Sequence, residues 1–175
     1  LSKAGHYEIH GETIAKFEFF DHGYNPYSRY LDIDKVDLIL RKKDGGKIKY
    51  IEIQVKFGRL YLCGQRWEKK LFDYTSWRFF KPNEFIDSHN NLYVAYVLCH
   101  PEGYNGDIFI FPAKDFNRLI NQGVFRNTKS GKKFMICIAR SHESNHWYLW
   151  KKTGFEKIDS SNSIDVTKYR RNFKF

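Results

Sequence analysis

The sequence predicts an α/β protein with a mixed central β-sheet flanked by helices. Three observations carry this. Apolar residues at helical spacing open the chain. Two alternating segments meet at Asp44-Gly45-Gly46. Further β-rich runs then alternate with a second helical segment that begins at Pro112.

Residues from about His6 to Phe20 read as a helix, with Ile9, Ile14, Phe17 and Phe20 as its expected buried stripe. Glu8, Glu12 and Lys16 lie away from the centre of that stripe. Asp21-His22-Gly23 ends the helix, with Gly23 suited to a C-terminal cap. "YNPYSRYLDIDK" reads as an irregular connection. "VDLILRKK", the turn "DGG" and the longer "KIKYIEIQVK" form the clearest hairpin signal in the chain. "CGQRWEKKLFDYTSWRFF" has mixed periodicity and assigns to neither class. "NLYVAYVLCH" and "GDIFIF" read as strands. "PAKDFNRLI" reads as a helix with Pro in its first turn and Phe116, Leu119 and Ile120 on one side. "KKFMICIARS" and "HWYLWKK" form a second hairpin, and the tail offers one short helical turn near "VTKYRR".

At 175 residues, the chain fits one domain, residues 1–175, with enough length to bury a substantial core. No apolar run is long enough to span a bilayer, and "LSKAGHYEIH" lacks the apolar core of a signal peptide. Lysine and arginine outnumber aspartate and glutamate by 30 to 20, a net charge of +10 that points to a polyanionic partner, most simply nucleic acid. The basic residues are spread out, densest in "RKKDGGKIK" and "KYRRNFK". Cys63, Cys99 and Cys137 are odd in number and widely spaced, so they suggest neither a disulfide framework nor a zinc site. Cys99 and Cys137 sit in apolar runs and read as buried thiols. The expectation is a reducing, cytoplasmic setting.

The stretch "YIEIQVKFGR" (50–59) carries the chemistry. Ile51, Ile53 and Val55 point one way and form a back that can pack on a helix. Glu52, Gln54 and Lys56 point the other way, at two-residue intervals on one face. A hairpin turning at Asp44-Gly45-Gly46 sets Asp37 opposite Gln54, so Asp37, Gln54 and Lys56 should cluster with Glu52 one step further on. Carboxylate and amide oxygens suit Mg²⁺, a hard cation that keeps several waters. A metal there would polarise a phosphate oxygen and acidify a bound water, while the lysine would offset charge in the transition state. The plainer reading is a surface hairpin whose polar face meets water.

Asp37, followed by a strand, a turn and "EIQVK", resembles the PD-(D/E)xK nuclease superfamily, and the upstream helix carrying "HGETIAKF" adds to the likeness. The likeness is to small resolvase-like, intron-encoded or restriction-type endonucleases and covers Gly5 to about Gly58. It implies a restriction-endonuclease-like core and Mg²⁺-dependent hydrolysis of DNA that leaves a 5′-phosphate, with Mn²⁺ as a substitute. It further implies that Asp37, Gln54 and the main-chain carbonyl of Val55 bind the metal, that Lys56 is the catalytic lysine, and that Glu12 supports the metal from the helix. Two positions depart from the pattern. Val36 stands where proline is common, and Gln54 stands where Asp or Glu is usual, so Glu52 is a further candidate ligand. Asp32 and Asp34 compete with Asp37, which is preferred because it opens the strand.

The expected partner is double-stranded DNA, held by phosphate contacts. Cutting both strands calls for two active sites and hence a homodimer. Arg59, Tyr61, Arg66 and Trp67, directly after the motif strand, are candidate substrate contacts, and Arg170 and Arg171 are candidates for tracking phosphates. Trp67, Trp77, Trp147 and Trp150, with the many Phe and Tyr, are candidates to stack on exposed bases, but most of them are expected in the core. The alternative to an enzyme is a nucleic-acid-binding module of the same fold that has lost catalysis; a third reading is a structural protein with a basic surface. "HESNH" (142–146) spells a zinc-protease string, but it lies between two strand-like runs and no histidine follows it, so it reads as a hairpin loop.

Overall fold

The first helix, α1 (Lys3–Asp21), stops at Gly23, whose φ of +82° suits the missing side chain. The Gly23 and Tyr24 N–H groups close its end on the Phe20 and Phe19 carbonyls at 2.9 and 3.0 Å. The computed structural model describes residues 3–28 and 36–175, so Asp32 and Asp34 lie outside the described residues. The helix is where the spacing predicts it, but its buried face is different. Gly11, Ala15 and Phe19 face inward, Ile14 is half-buried, and Ile9, Phe17 and Phe20 are exposed. Apolar residues occur all round this helix, so their spacing does not select a face. Close approach does: a Cβ on Gly11 would stand 3.0 Å from the Cβ of Phe57.

The chain continues as β1 (Asn25–Ser28), β2 (Leu38–Asp44) and β3 (Lys47–Arg59). β1 takes up part of the segment read as irregular and pairs with β2. β2 and β3 form the expected hairpin, from Leu38 opposite Ile53 to Asp44 opposite Lys47. Its turn residues Gly45 and Gly46 have φ of +53° and +84°, the left-handed pair of a two-residue turn. Next come β4 (Tyr61–Leu62), α2 (Arg66–Leu71) and β5 (Phe72–Phe80), which resolve the segment of mixed periodicity. β6 (Leu92–His100), β7 (Gly103–Pro112) and α3 (Ala113–Gln122) follow as expected. β8 (Val124–Asn127), β9 (Phe134–Ser141), β10 (Trp147–Trp150) and β11 (Ser163–Asp165) complete the strands, and Thr167–Tyr169 is a single 3-10 turn.

There are two sheets where the sequence suggested one. The first is five-stranded in the order β1-β2-β3-β6-β7; β3 and β6 run parallel and the other neighbours antiparallel, so it is mixed. The second is six-stranded, in the order β11-β10-β9-β5-β4 with β8 on β9. One face of the first sheet packs its Leu38, Leu40, Ile51, Ile53, Val55 and Phe57 on Ala15 and Phe19 of α1. The other face packs Val94, Tyr96, Leu98 and Phe111 on Phe116, Leu119 and Ile120 of α3 and on Ile136, Ile138 and Trp147 of the second sheet. The far side of the second sheet carries a smaller core around Leu71, Phe72, Cys137 and Trp150. The architecture is α/β, with a mixed sheet between one helix and a second sheet. No helix among the described residues is long and apolar enough to cross a membrane.

β3 links the two sheets. The Leu60 N–H still bonds Cys99 of the first sheet at 2.8 Å, and Tyr61 already pairs with Thr75 of the second. Just before this switch, a Cβ on Gly58 would lie 2.8 Å from Leu98 Cδ2 and 2.9 Å from both Ser76 Oγ and the Tyr96 hydroxyl. The two sheets are therefore in close contact at Gly58. From Gln54 to Gly58 the front of β3 looks into the interior of the protein, not into water.

Candidate functional site

At the open end of the hairpin a side chain takes over from the backbone ladder. The Asp37 N–H bonds the Ile53 carbonyl at 2.9 Å, and the Val55 N–H donates to Asp37 Oδ2 at 2.6 Å. This holds the half-buried Asp37 carboxylate across from Gln54 and Val55. Gln54 is only 7% exposed, and its Oε1 is buried without a hydrogen-bond partner among the described residues. An unmet buried acceptor costs about 1–3 kcal/mol, and native proteins tolerate few of them. Lys56, two residues on, places Nζ 3.4 Å from Glu84 Oε1, and the two side chains are 14% and 12% exposed. The turn that carries Glu84 also brings the Phe85 ring to 6.0 Å from Nζ.

Asp37, Gln54, Val55 and Lys56 form the floor of a cavity of 480 Å³, while Glu84 and Phe85 line the neighbouring depression. Arg59, Arg78, Tyr7, Tyr61 and Trp77 wall it, and Glu8 reaches it from α1. Tyr7 stacks on Phe57 with ring centres 5.5 Å apart, and the Arg59 guanidinium lies 4.6 Å over the Tyr7 ring. The Arg78 guanidinium donates to the Phe57 carbonyl. Tyr61 and Trp77 are about half exposed, at 49% and 54%. The cavity thus has a carboxylate and an amide at its base, cations on its sides and aromatic faces at its mouth.

Of the residues singled out from the sequence, Asp37, Gln54, Val55, Lys56, Arg59 and Tyr61 line this cavity together. Glu12 does not; it is half-buried one helical turn beyond Glu8, which takes the place at the lining. The rotation of α1 about Gly11 and Ala15 accounts for this. Glu52 turns away into a neighbouring depression beside Glu84 and Asp87, and its Oε2 lies 2.9 Å from His89 Nε2. Arg66 is exposed and outside the lining, and Trp67 packs on Trp150 and Phe155 with ring centres 5.3 and 4.9 Å away. Arg170 and Arg171 are held in ion pairs with Asp107 and Glu18, each at 2.8 Å. The sequence reading missed Arg78, which lies in the segment of mixed periodicity, and Glu84, which lies in a turn without a motif; Trp77, in the same segment as Arg78, was named only among the tryptophans as a whole. Tyr7 and Glu8 had a signal: they sit one helical turn before Gly11, where a small residue marks the helix's approach to the sheet.

Among the described residues no three His, Cys, Asp or Glu side chains are grouped to hold a metal ion. The oxygen groups around the cavity floor are of another kind: the Asp37 carboxylate, the Val55 main-chain carbonyl and, enclosed behind the lining, the Gln54 amide oxygen. An all-oxygen set with a single charge fits a hard cation that keeps most of its water, and it does not fit zinc. The unmet Gln54 oxygen agrees with that fit. The three cysteines are free and buried, and burial pushes the thiols of Cys63 and Cys99 up to about 12 and about 11, so neither is a nucleophile. Burial likewise pushes the Tyr96 hydroxyl behind the cavity up to about 12. "HESNH" is the exposed turn between β9 and β10, with His146 Nδ1 3.1 Å from Asp165, as expected of a hairpin loop.

No family model, no curated protein and no solved structure matches the chain.

Proposed function

We propose that the protein is a metal-dependent endonuclease that hydrolyses DNA phosphodiester bonds at the cavity of Asp37, Gln54 and Lys56. One observation carries the reading: Gln54 is buried with an unpartnered oxygen beside a positioned carboxylate and a largely buried lysine. A solvent-facing hairpin would leave that amide in water. A core position would supply it with a donor or replace it with an apolar side chain. Ser76 Oγ, Arg140 Nε and Trp150 Nε1 are also buried without a partner among the described residues, and what sets Gln54 apart is the carboxylate and lysine beside it, which support a ligand there.

Asp37, Gln54 and the Val55 carbonyl would hold Mg²⁺, with Mn²⁺ as a substitute. The ion would supply a polarised phosphate oxygen and a more acidic water. Lys56 provides positive charge to the phosphoryl oxygens as negative charge builds on them, and Glu84 keeps its ammonium on the cavity floor. Arg59 is exposed at the wall and free to meet a neighbouring phosphate. The net charge of +10 draws the polyanion in. The resemblance of the Asp37 to Lys56 motif to PD-(D/E)xK nucleases supports the same chemistry and products ending in a 5′-phosphate. Cutting both strands of a duplex would take two copies of the chain.

The test is nicking of supercoiled plasmid. The expected result is nicking with Mg²⁺ or Mn²⁺, none with chelator, and none for Asp37→Ala with metal. The second reading is a binding module without catalysis, favoured by Gln54 at the position where an acid is usual. Salt-sensitive DNA binding with no cleavage of supercoiled, linear or branched DNA by concentrated protein would decide for it.

A further inference from the structure

The mouth of the cavity is more aromatic than phosphate binding requires. Tyr61 stands opposite Thr75 in the β4–β5 pair, and Trp77 lies two residues along β5 on the same side of the second sheet. Diagonal neighbours on one face are within reach of each other's aromatic side chains, so the two rings offer adjacent stacking surfaces. Both rings are about half exposed, and neither belongs to a core cluster among the described residues. Trp77 touches only the edge of Phe79 among its aromatic contacts, at 6.1 Å between ring centres. Beside these rings stand Lys56, Arg59 and Arg78, three cations in the same cavity.

We infer that this cavity takes an unpaired DNA strand, whose bases stack on Tyr61 and Trp77 while its phosphates meet Lys56 and Arg59. The inference rests on the nuclease reading for the chemistry but not for the binding. A duplex covers the faces of its bases with neighbouring bases and turns only edges and phosphates outward, leaving the two rings nothing planar to cover them. An unpaired strand offers free base faces. Alternating stacking surfaces and cations is how sequence-tolerant single-strand sites are built. Arg59, itself stacked over Tyr7, extends the row of flat surfaces from the mouth towards the floor. The substrate class is thus a single strand, a frayed end, a flap or the strand-separated stretches that negative supercoiling opens in a plasmid, and not a relaxed, fully paired duplex.

The experiment is fluorescence anisotropy of the full chain in chelator, so that nothing is cut. Three labelled probes are used: a thymidine homopolymer, an abasic strand of the same length, and a blunt duplex. The thymidine strand is expected to bind roughly ten-fold or more tighter than the abasic strand, and also tighter than the duplex. Trp77→Ala and Tyr61→Ala should each narrow the gap between thymidine and abasic strands several-fold. Trp77→Phe should keep most of it, and Tyr50→Ala, at an exposed tyrosine on the hairpin, should leave it unchanged. Equal binding of thymidine and abasic strands, tighter binding of the duplex, or a gap that survives both aromatic truncations overturns the inference. If plasmid is nicked with metal but no gap is seen, the nuclease reading stands and this one falls. If the gap is present but nothing is cut, the outcome is reversed.

Discussion

Asp107 and Gln54 are buried polar residues on β7 and β3, the two strands that flank β6, and their surroundings differ. Asp107 places Oδ2 2.7 Å from His100 Nε2 and Oδ1 2.8 Å from Arg170 Nε. Nearby, Glu18 accepts from the Tyr104 hydroxyl and from Arg171. Both of these carboxylates are occupied, and together they tie the C-terminal segment to α1 and β7. The Tyr24 hydroxyl adds a bond to the Phe173 carbonyl at 2.8 Å. The Gln54 oxygen has no such partner. A closed polar network buys a fixed structure, whereas a buried polar group without a partner keeps its desolvation cost until a ligand meets it. This is why Arg170 and Arg171, which look like a phosphate-binding pair in sequence, serve as struts instead.

The contrast is tested most strongly at Lys56. Lys56→Ala should cut the rate of plasmid nicking by about 10²-fold or more, the usual loss when a group that meets transition-state charge is removed. Its unfolding free energy in urea should fall less than that of Asp107→Ala, because Glu84 is left lining an open depression rather than in a closed core. If Lys56→Ala were instead to unfold the protein and leave the surviving rate intact, the cavity would be structural like the network at Asp107.

Asp107→Ala is the converse case. It leaves His100 buried without its partner and Arg170 with nothing to hold. Breaking a buried pair in this way costs about 3 kcal/mol. Urea titration should show that loss, while the fraction that remains folded should nick DNA at the original rate. Gly58→Ala is expected to come next, at about 2 kcal/mol. The new Cβ would press on Leu98, Ser76 and Tyr96 at once, and overpacking of a core contact costs about 1–3 kcal/mol. The same variant should slow nicking, since Gly58 lines the cavity where the two sheets meet.

These expectations divide the molecule as the sequence does. The β2–β3 hairpin was legible in detail, because alternation and Gly45-Gly46 together leave one register open, and that register places Asp37 by Gln54. The helix α3 was legible because Phe116, Leu119 and Ile120 fall on one side only. α1 was legible as a helix but not in its orientation, since Ile9, Ile14, Phe17, Phe19 and Phe20 surround it. The readable clue was the small pair Gly11 and Ala15, four residues apart, which marks where the helix touches the sheet. The second sheet was not legible. β5 carries buried Ser76 and Phe80 on one side and Trp77 on the other, an alternation masked by aromatics on both faces and by the irregularity between Phe72 and Tyr74. With β5 unread, Trp77 and Arg78 could not be placed at the cavity. Glu12 and Glu52 were assigned from position in a motif, and it is the turn of α1 and the pairing of Glu52 with His89 that take them elsewhere.

Gln54 itself supplies the smallest and most discriminating effect. Replacing an unmet buried acceptor with an apolar side chain of similar size removes a desolvation cost without breaking any bond. Gln54→Leu should therefore raise the unfolding free energy by about 1 kcal/mol, within the range for a neglected polar group. On the nuclease reading the same change should abolish nicking, because it removes an oxygen of the proposed metal site. A gain in stability together with a loss of activity is the behaviour of a functional group, and the struts at Asp107 cannot show it. Gln54→Glu extends the argument in the other direction. A buried carboxylate with no donor should lower the melting temperature in chelator. Metal that binds the folded state alone then restores stability in proportion to the logarithm of its concentration over Kd. The rise in melting temperature with Mn²⁺ should thus be largest for Gln54→Glu, smaller for the natural glutamine and absent for Gln54→Leu. If all three chains respond to Mn²⁺ alike, residue 54 does not touch the metal, and its unmet oxygen is a packing cost with no ligand to explain it.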